Sequence, residues 1–362
     1  MSAQEFFSKA VLLPCSKLYG AATYVRNKLF DWHILPQHEF SVPVVVVGNL
    51  AVGGTGKTPH TEYIVEALRH NFHIAVLSRG YKRSTKGFVL ATPYSKPRDI
   101  GDESYQMYHK FDQKVTVAVC EDRVKGIREL TRLDPDINLV VLDDAFQHRY
   151  VKPTVSIVVT EFNRPLYDDS MLPYGRLREP VHGINRADFV VVSKCPESMK
   201  DLDYALFKKN LGLYPYQEVF FSRYSYQDLV PLFPDQSKSV PCLEWMEPGD
   251  SILAVAGIDN PRPFVRHLKS YLPKVRVNIF SDHHNFSRKD LELLLKRYNT
   301  MRGNTRILIT TEKDAVRMAA SPYFPPELRA VTYYLPVKVE FSPHGNLNFE
   351  QALTRKIRDQ RP

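Results

Sequence analysis

The sequence predicts an α/β fold: a doubly wound, mostly parallel sheet, with a second, smaller α/β domain joined by a strand linker. Three observations carry this. Short runs of β-branched residues alternate with segments of helical period. The first strong run, Val44–Val47, leads into a turn holding Gly53, Gly54 and Gly56. A stretch with Pro231, Pro234, Pro241 and Pro248 interrupts the alternation, which then resumes.

Taken in order, residues 4–30 read as one or two helices broken near Pro14. Phe6, Phe7, Ala10, Val11 and Leu13 crowd the first piece. Leu18, Ala22, Val25 and Leu29 form an apolar stripe in the second, with Lys17, Arg26 and Lys28 off it and Lys9 in the first piece. Such a stripe packs on the protein's own core or lies in a lipid headgroup layer. Strands are expected at 42–47, 73–78, 115–119, 139–142, 155–160 and 188–193, with helices at 58–70, 102–110 and 121–132. A second unit follows, with strands at 251–258, 275–280 and 306–311 and a helix at 287–299. The tail at 349–358 reads as a basic helix. The expected division is an N-terminal segment 1–35, a first domain 36–214, a linker 215–250, a smaller domain 251–340 and a C-terminal helix 341–362.

Composition narrows the function classes. The chain has 362 residues, and 49 Lys+Arg against 40 Asp+Glu give a net charge of +9. Its apolar runs are far shorter than the roughly 20 residues of a membrane-spanning helix. The basic surplus suits an anionic partner or simply aids solubility. No basic stripe interleaved with aromatics marks a single-strand nucleic-acid groove, so no nucleic-acid partner is expected. Cys15, Cys120, Cys195 and Cys242 are widely spaced with no C-x-x-C pair, which predicts free thiols and an intracellular setting. No secretory signal is expected.

Residues 42–58 read VPVVVVGNLAVGGTGKT. Strand, glycine-rich turn, Lys-Thr and helix form the phosphate-binding loop of P-loop NTPases. Gly53, Gly54, Thr55 and Gly56 would curl backbone N–H groups around phosphate oxygens, Lys57 would reach the β- and γ-phosphates, and Thr58 would ligate Mg²⁺. Ala51 stands where the general pattern wants glycine. Residues 138–149, NLVVLDDAFQHR, end a strand in Asp143 and Asp144. Carboxylates at such a strand end suit the metal site of these folds, or else cap the turn; the loop upstream favours the metal. Ser193-Lys194-Cys195-Pro196 lacks the Asp of a guanine-reading motif, which disfavours a GTPase.

Three charged clusters remain. GDES (101–104) puts Asp102 and Glu103 at a helix start, where they complement the dipole or accept a proton from an attacking hydroxyl. LPYGRLREP (172–180) is a phosphate clamp or an ordinary charged turn. FSDHHNFS (280–287) carries His283 and His284, whose adjacent rings point different ways.

Together these segments resemble the tetraacyldisaccharide 4'-kinase (lipid A 4'-kinase) family. The resemblance rests on GNLAVGGTGKTP (48–59), SRGYKR (78–83), GDES, DDAFQHR (143–149), LPYGRLREP, AVAGIDNP (254–261), SDHHNFS (281–287) and TTEKDAVR (310–317), in matching order. That family does not hold glycine at the position of Ala51. The resemblance implies ATP-dependent phosphorylation of the 4'-hydroxyl of an acylated glucosamine disaccharide 1-phosphate. It implies a peripheral protein on the cytoplasmic face of the bacterial inner membrane, with residues 1–35 facing an anionic membrane surface. It assigns Lys57 and Thr58 to the phosphates and Mg²⁺, and Asp143 and Asp144 to the metal. Asp102 becomes the residue that activates the hydroxyl, tuned by His283 or His284, with Lys57 also counted as catalytic. Glu103, Arg123 and Arg176 are further candidates for contacts to substrate or the transferring phosphate. The other reading is a membrane-surface P-loop switch that binds nucleotide without phosphorylating lipid. A soluble kinase for a small polar metabolite is disfavoured by the N-terminal stripe.

Overall fold

A computed structural model describes residues 8–111, 114–237, 239–342 and 348–360; Phe6 and Phe7 lie outside them. A π-helical turn, Ser8–Leu12, runs into α1 (Leu13–Asp31). Pro14 falls in the first turn of α1, where its missing N–H is tolerated, and so does not break it.

The first domain then runs β1 (Val44–Gly48), α2 (Lys57–Leu68), β2 (Ile74–Ser78), β3 (Val89–Leu90), α3 (Asp102–Lys110), β4 (Thr116–Val119), α4 (Arg123–Leu133), β5 (Leu139–Asp143), β6 (Val155–Glu161), β7 (Phe189–Ser193), α5 (Asp201–Leu211) and β8 (Glu218–Tyr226). The second part runs β9 (Val230–Pro231), β10 (Ser251–Ala256), α6 (Arg262–Tyr271), β11 (Val275–Ile279), α7 (Arg288–Asn299), β12 (Arg306–Thr311), α8 (Glu312–Ala319) and β13 (Thr332–Leu335). β14 (Val337–Phe341) and α9 (Phe349–Asp359) complete the chain.

Nine strands form the larger sheet in the order β14-β8-β7-β6-β1-β5-β2-β4-β3. From β8 to β4 every pairing is parallel; β3 and β14 are antiparallel edges. β1 is central, and its valines are buried on both faces: Val44 and Val46 join one apolar cluster, Val45 and Val47 the other. Burial on both faces explains an unbroken β-branched run in place of alternation. The smaller sheet, β11-β10-β12-β13-β9, is parallel except at β9.

Two strands join the sheets. β8 leaves the larger sheet towards β9, and β14 returns antiparallel to it, Val337–Phe341 against Ser222–Tyr226. α9 then buries Phe349, Leu353 and Ile357 against the larger sheet.

α1 docks through Phe30, which is fully buried against Tyr150, and through polar groups. The Ser16 hydroxyl donates to the Met171 carbonyl, Asn27 donates to Glu179, and Arg149 holds Asp31. Its apolar stripe points away: Leu18 is 72% exposed, Val25 55%, and Trp32 just beyond the helix 66%. Among the described residues, no helix is long and apolar enough to cross a membrane.

Candidate active site

The phosphate loop is pre-shaped by its glycines. Gly53 and Gly56 have φ of +103° and +97°, in the range that favours glycine. A Cβ on Gly53 would fall 1.8 Å from the Arg176 guanidinium. α2 starts at Lys57, so its free N–H groups open onto the loop. Asn49 Nδ2 donates to Thr55 Oγ1 at 2.8 Å, and the Ser193 hydroxyl to the Thr55 carbonyl at 2.7 Å. The 172–180 segment runs alongside: Val52 N–H donates to the Arg176 carbonyl and Arg178 N–H to that of Leu50.

A carboxylate from the smaller domain already sits in this cradle. Asp259 Oδ2 accepts from the Gly54 N–H at 3.3 Å and from Arg176 at 3.2 Å. Burial pushes the Asp259 carboxyl up, but the Gly54 N–H and Arg176 outweigh it and hold it below the usual range. The loop therefore presents to Asp259 the donors that a phosphate oxygen would need.

The acidic pair emerges beside the loop because β1 and β5 are neighbours, with Val47 opposite Asp143. Lys57 Nζ lies 3.6 Å from Asp144 Oδ1, and Arg178 donates to the same oxygen at 2.9 Å. Burial raises the Asp144 carboxyl, while Lys57 and Arg178 bring it below the usual value. Asp143 accepts from the Thr61 hydroxyl at 2.7 Å. Its carboxyl is pushed up by burial and by the nearby charges of Glu103 and Asp144. A buried carboxylate crowded by like charges fits a cation. Among the described residues, no three His, Cys, Asp or Glu side chains group as a metal cage. Mg²⁺ needs none: one or two carboxylates with water and phosphate oxygens suffice, and Thr58, Asp143 and Asp144 fit that donor set. Arg123 lies behind the pair, 3% exposed, its guanidinium donating to the carbonyls of Cys120 and Glu121. Burial lowers its pKa to about 10.

Asp102 and Glu103 open α3, as the sequence predicts, next to the end of β2. A small cavity of about 10 Å³ there is lined by Ser78, Tyr81, Asp102, Glu103 and His283, among others. His283 Nδ1 lies 3.6 Å from Asp102 Oδ2. His283 has φ of +121°, a strained setting for a side-chain-bearing residue and one that clusters at functional sites. His284 turns away: its Nε2 pairs with Asp290 at 2.9 Å, and its ring stacks on Phe280. Burial raises the Asp102 carboxyl, but His283 and Arg317 overcome this and hold it below the usual carboxylate range. Lys313 Nζ lies 3.5 Å from Glu103 and 3.0 Å from His283 Nε2.

The structure thus gathers Gly53–Thr58, Asp143, Asp144 and Arg176 in one region, and Asp102, Glu103 and His283 in another at the same sheet edge. The sequence alone gives no role to Asp259, Lys313 or Arg317, and offers Arg178 only as part of a phosphate clamp or charged turn. All four stand inside quoted motifs, yet only the fold shows what they touch.

A central parallel strand, a glycine cradle, a helix-initial Lys-Thr and neighbouring carboxylates define a P-loop NTPase fold equipped as a phosphotransferase. The pattern of the tetraacyldisaccharide-1-P 4'-kinase family matches residues 8–358. The tetraacyldisaccharide 4'-kinase of Bacteroides thetaiotaomicron is 47% identical over 354 residues, covering 96% of this chain and 93% of that protein. That of Flavobacterium johnsoniae is 40% identical over 351 residues, covering 97% and 98%. A crystal structure of LpxK from Aquifex aeolicus in complex with ATP superposes with a TM-score of 0.73 at 26% identity, covering 98% of this chain and 100% of that one. The chain belongs to the tetraacyldisaccharide-1-P 4'-kinase family.

Proposed function

We propose that this protein transfers the γ-phosphate of ATP to the 4'-hydroxyl of an acylated glucosamine disaccharide 1-phosphate. The observation that carries the reading is one sheet edge holding two kinds of machinery. A phosphate cradle with Lys57 stands beside Asp143 and Asp144, and Asp102 meets His283 next to it. The family membership supplies the substrate class.

Gly53, Gly54, Thr55, Gly56 and Thr58 hold the nucleotide phosphates through backbone N–H groups, and Lys57 neutralises the β- and γ-oxygens. Thr58, Asp143 and Asp144 would hold Mg²⁺, which would supply further neutralisation of the phosphate charge. Asp102 accepts the proton of the sugar hydroxyl as the new O–P bond forms and the bond to ADP breaks. His283 packs beside that carboxylate, its Nδ1 3.6 Å from Oδ2. Arg176 clamps the phosphate end, and Glu103 faces the acceptor. Arg123, enclosed behind Asp143 and Asp144, acts on their charge.

We place the protein peripherally on the cytoplasmic face of the inner membrane. The support is α1, which binds the body through Ser16 and Asn27 and turns Leu18 and Val25 outward. An outward apolar stripe with Lys17 beside it suits an anionic headgroup layer.

Incubation with γ-labelled ATP and a 4'-unphosphorylated tetraacyldisaccharide 1-phosphate in mixed micelles tests the reading. Label in the lipid is expected. ATP binding without lipid labelling would overturn it in favour of the nucleotide switch, and labelling of the deacylated sugar at equal efficiency would remove the lipid requirement.

A further inference from the structure

Arg317 lies on α8 with its side chain 3% exposed. Its three donor positions are all engaged. Nε donates to Asp102 Oδ2 at 2.6 Å, one terminal nitrogen to Asp314 Oδ1 at 3.1 Å, and the other to His283 Nδ1 at 2.9 Å. Asp314 is fully buried and itself fixed, accepting from the Gly257 N–H at 2.7 Å and the Thr311 hydroxyl at 2.6 Å. A planar guanidinium anchored on such a carboxylate has little freedom to follow Asp102. Asp102 must come to it.

We propose that Arg317 is a positioning residue for phosphoryl transfer, holding the Oδ2 edge of Asp102 and the Nδ1 edge of His283 from the smaller domain. The inference rests on Asp102 being the proton acceptor. Its consequence is that the hydroxyl-activating pair forms only while the two domains touch. With Oδ2 held, Oδ1 has no hydrogen-bond partner among the described residues and is the edge left for the acceptor hydroxyl. Arg317 neither gains nor loses a proton in the step. The proton passes from hydroxyl to Asp102 as the O–P bond forms and ADP departs.

The other charged and titratable groups around Asp102 do not replace this fork. From α8, Lys313 pairs its ammonium with Glu103 and Asp282, and Asp314 turns to Gly257. From the 281–284 turn come Asp282 and His283, from α3 Glu103, and from the 78–83 segment Tyr81, whose ring packs edge-on against His283.

The test is steady-state kinetics of the full chain across pH, with ATP binding and thermal unfolding measured on each variant. Arg317→Gln should lower kcat by about 10–100-fold, as expected when a reacting group is misplaced by an ångström. The KM for ATP should stay within a few-fold, because Arg317 does not contact the phosphate loop. The acid limb of kcat should move to higher pH: without the guanidinium the Asp102 carboxyl rises, so the carboxylate is lost sooner on acidification. Arg317→Lys, keeping charge without the fork, should restore the acid limb but only part of kcat. A folded Arg317→Gln with wild-type kcat and acid limb overturns the proposal. If the Gln variant does not fold, wild-type kcat in Arg317→Lys overturns it. Asp102→Asn separates the two claims. Wild-type turnover there sinks the reading of Asp102 itself, whereas loss in Asp102→Asn with none in the Arg317 variants sinks only the positioning role.

Discussion

The phosphate loop and the Asp102 centre stand at one sheet edge but are built in opposite ways. The loop is one stretch of chain, Gly53–Thr58, pinned between β1 and α2, with neighbours from the same domain such as Asn49 and Ser193. The Asp102 centre takes its carboxylate from α3 and its histidine and arginine from the smaller domain. Holding the phosphates is thus the business of one domain, and activating the hydroxyl that of two. Variants in the two regions should separate binding from transfer.

The largest effect is expected at Lys57. Lys57→Ala should lower turnover by at least about 10³-fold, since a cation on the transferring phosphate is worth that much. It should also abolish the rise in melting temperature on adding ATP, because a ligand stabilises only what it binds. The lipid-labelling assay checks the first and scanning calorimetry with and without ATP the second. A variant that still binds ATP normally would break the division from the loop side.

Asp102→Asn comes next, with a loss of about 10²–10³-fold in kcat expected for a missing proton acceptor. ATP should still raise the melting temperature by nearly the wild-type amount. Loss of ATP binding in this variant would mean that the two regions are not separable.

That contrast also governs what the sequence discloses. The loop was legible because its chemistry is local: a β-branched run buried on both faces, then glycines at positive φ, then Lys-Thr. The strands of the doubly wound core were readable for the same reason. β8 falls within the expected strand linker at 215–250, but its place in the larger sheet is not readable, because its burial is continuous only at Phe220–Ser222 and its outer half carries Arg223, Tyr224 and Tyr226 into the junction. β14, paired with it, alternates Lys338 and Glu340 with apolar residues in a strand of five. Arg317 touches Asp102 across 215 positions and Asp259 touches Gly54 across 205. No spacing rule reaches that far. The choice between His283 and His284 also needed the backbone, since adjacent residues differ only in direction.

Those two histidines give a smaller and sharper test. His283→Ala should reduce kcat by about 10-fold or more through loss of its packing beside Asp102. His284→Ala should leave kcat within a few-fold and lower thermal stability instead. Its ring pairs with Asp290, the residue that closes the capping box of α7 with Ser287, so losing it weakens a helix start by about 1 kcal/mol. Equal kinetic losses at both positions would contradict this assignment.

The smallest expected effect bears on a contact that crosses from the smaller domain into the phosphate loop. Asp259 gives its carboxylate to the Gly54 N–H and to Arg176, donors that a nucleotide phosphate also requires. ATP must therefore displace an anion as it enters, and the smaller domain loses a hold on the loop as it does so. Asp259→Asn keeps the size of the side chain and removes the charge, so the competition weakens. The contact is partly exposed and screened, so the change should be about 3–10-fold tighter ATP binding, or about 1 kcal/mol. Titration calorimetry with ATP reads it directly. Weaker binding in Asp259→Asn would mean instead that Asp259 helps to hold the nucleotide, and the loop would then share with the Asp102 centre its dependence on both domains.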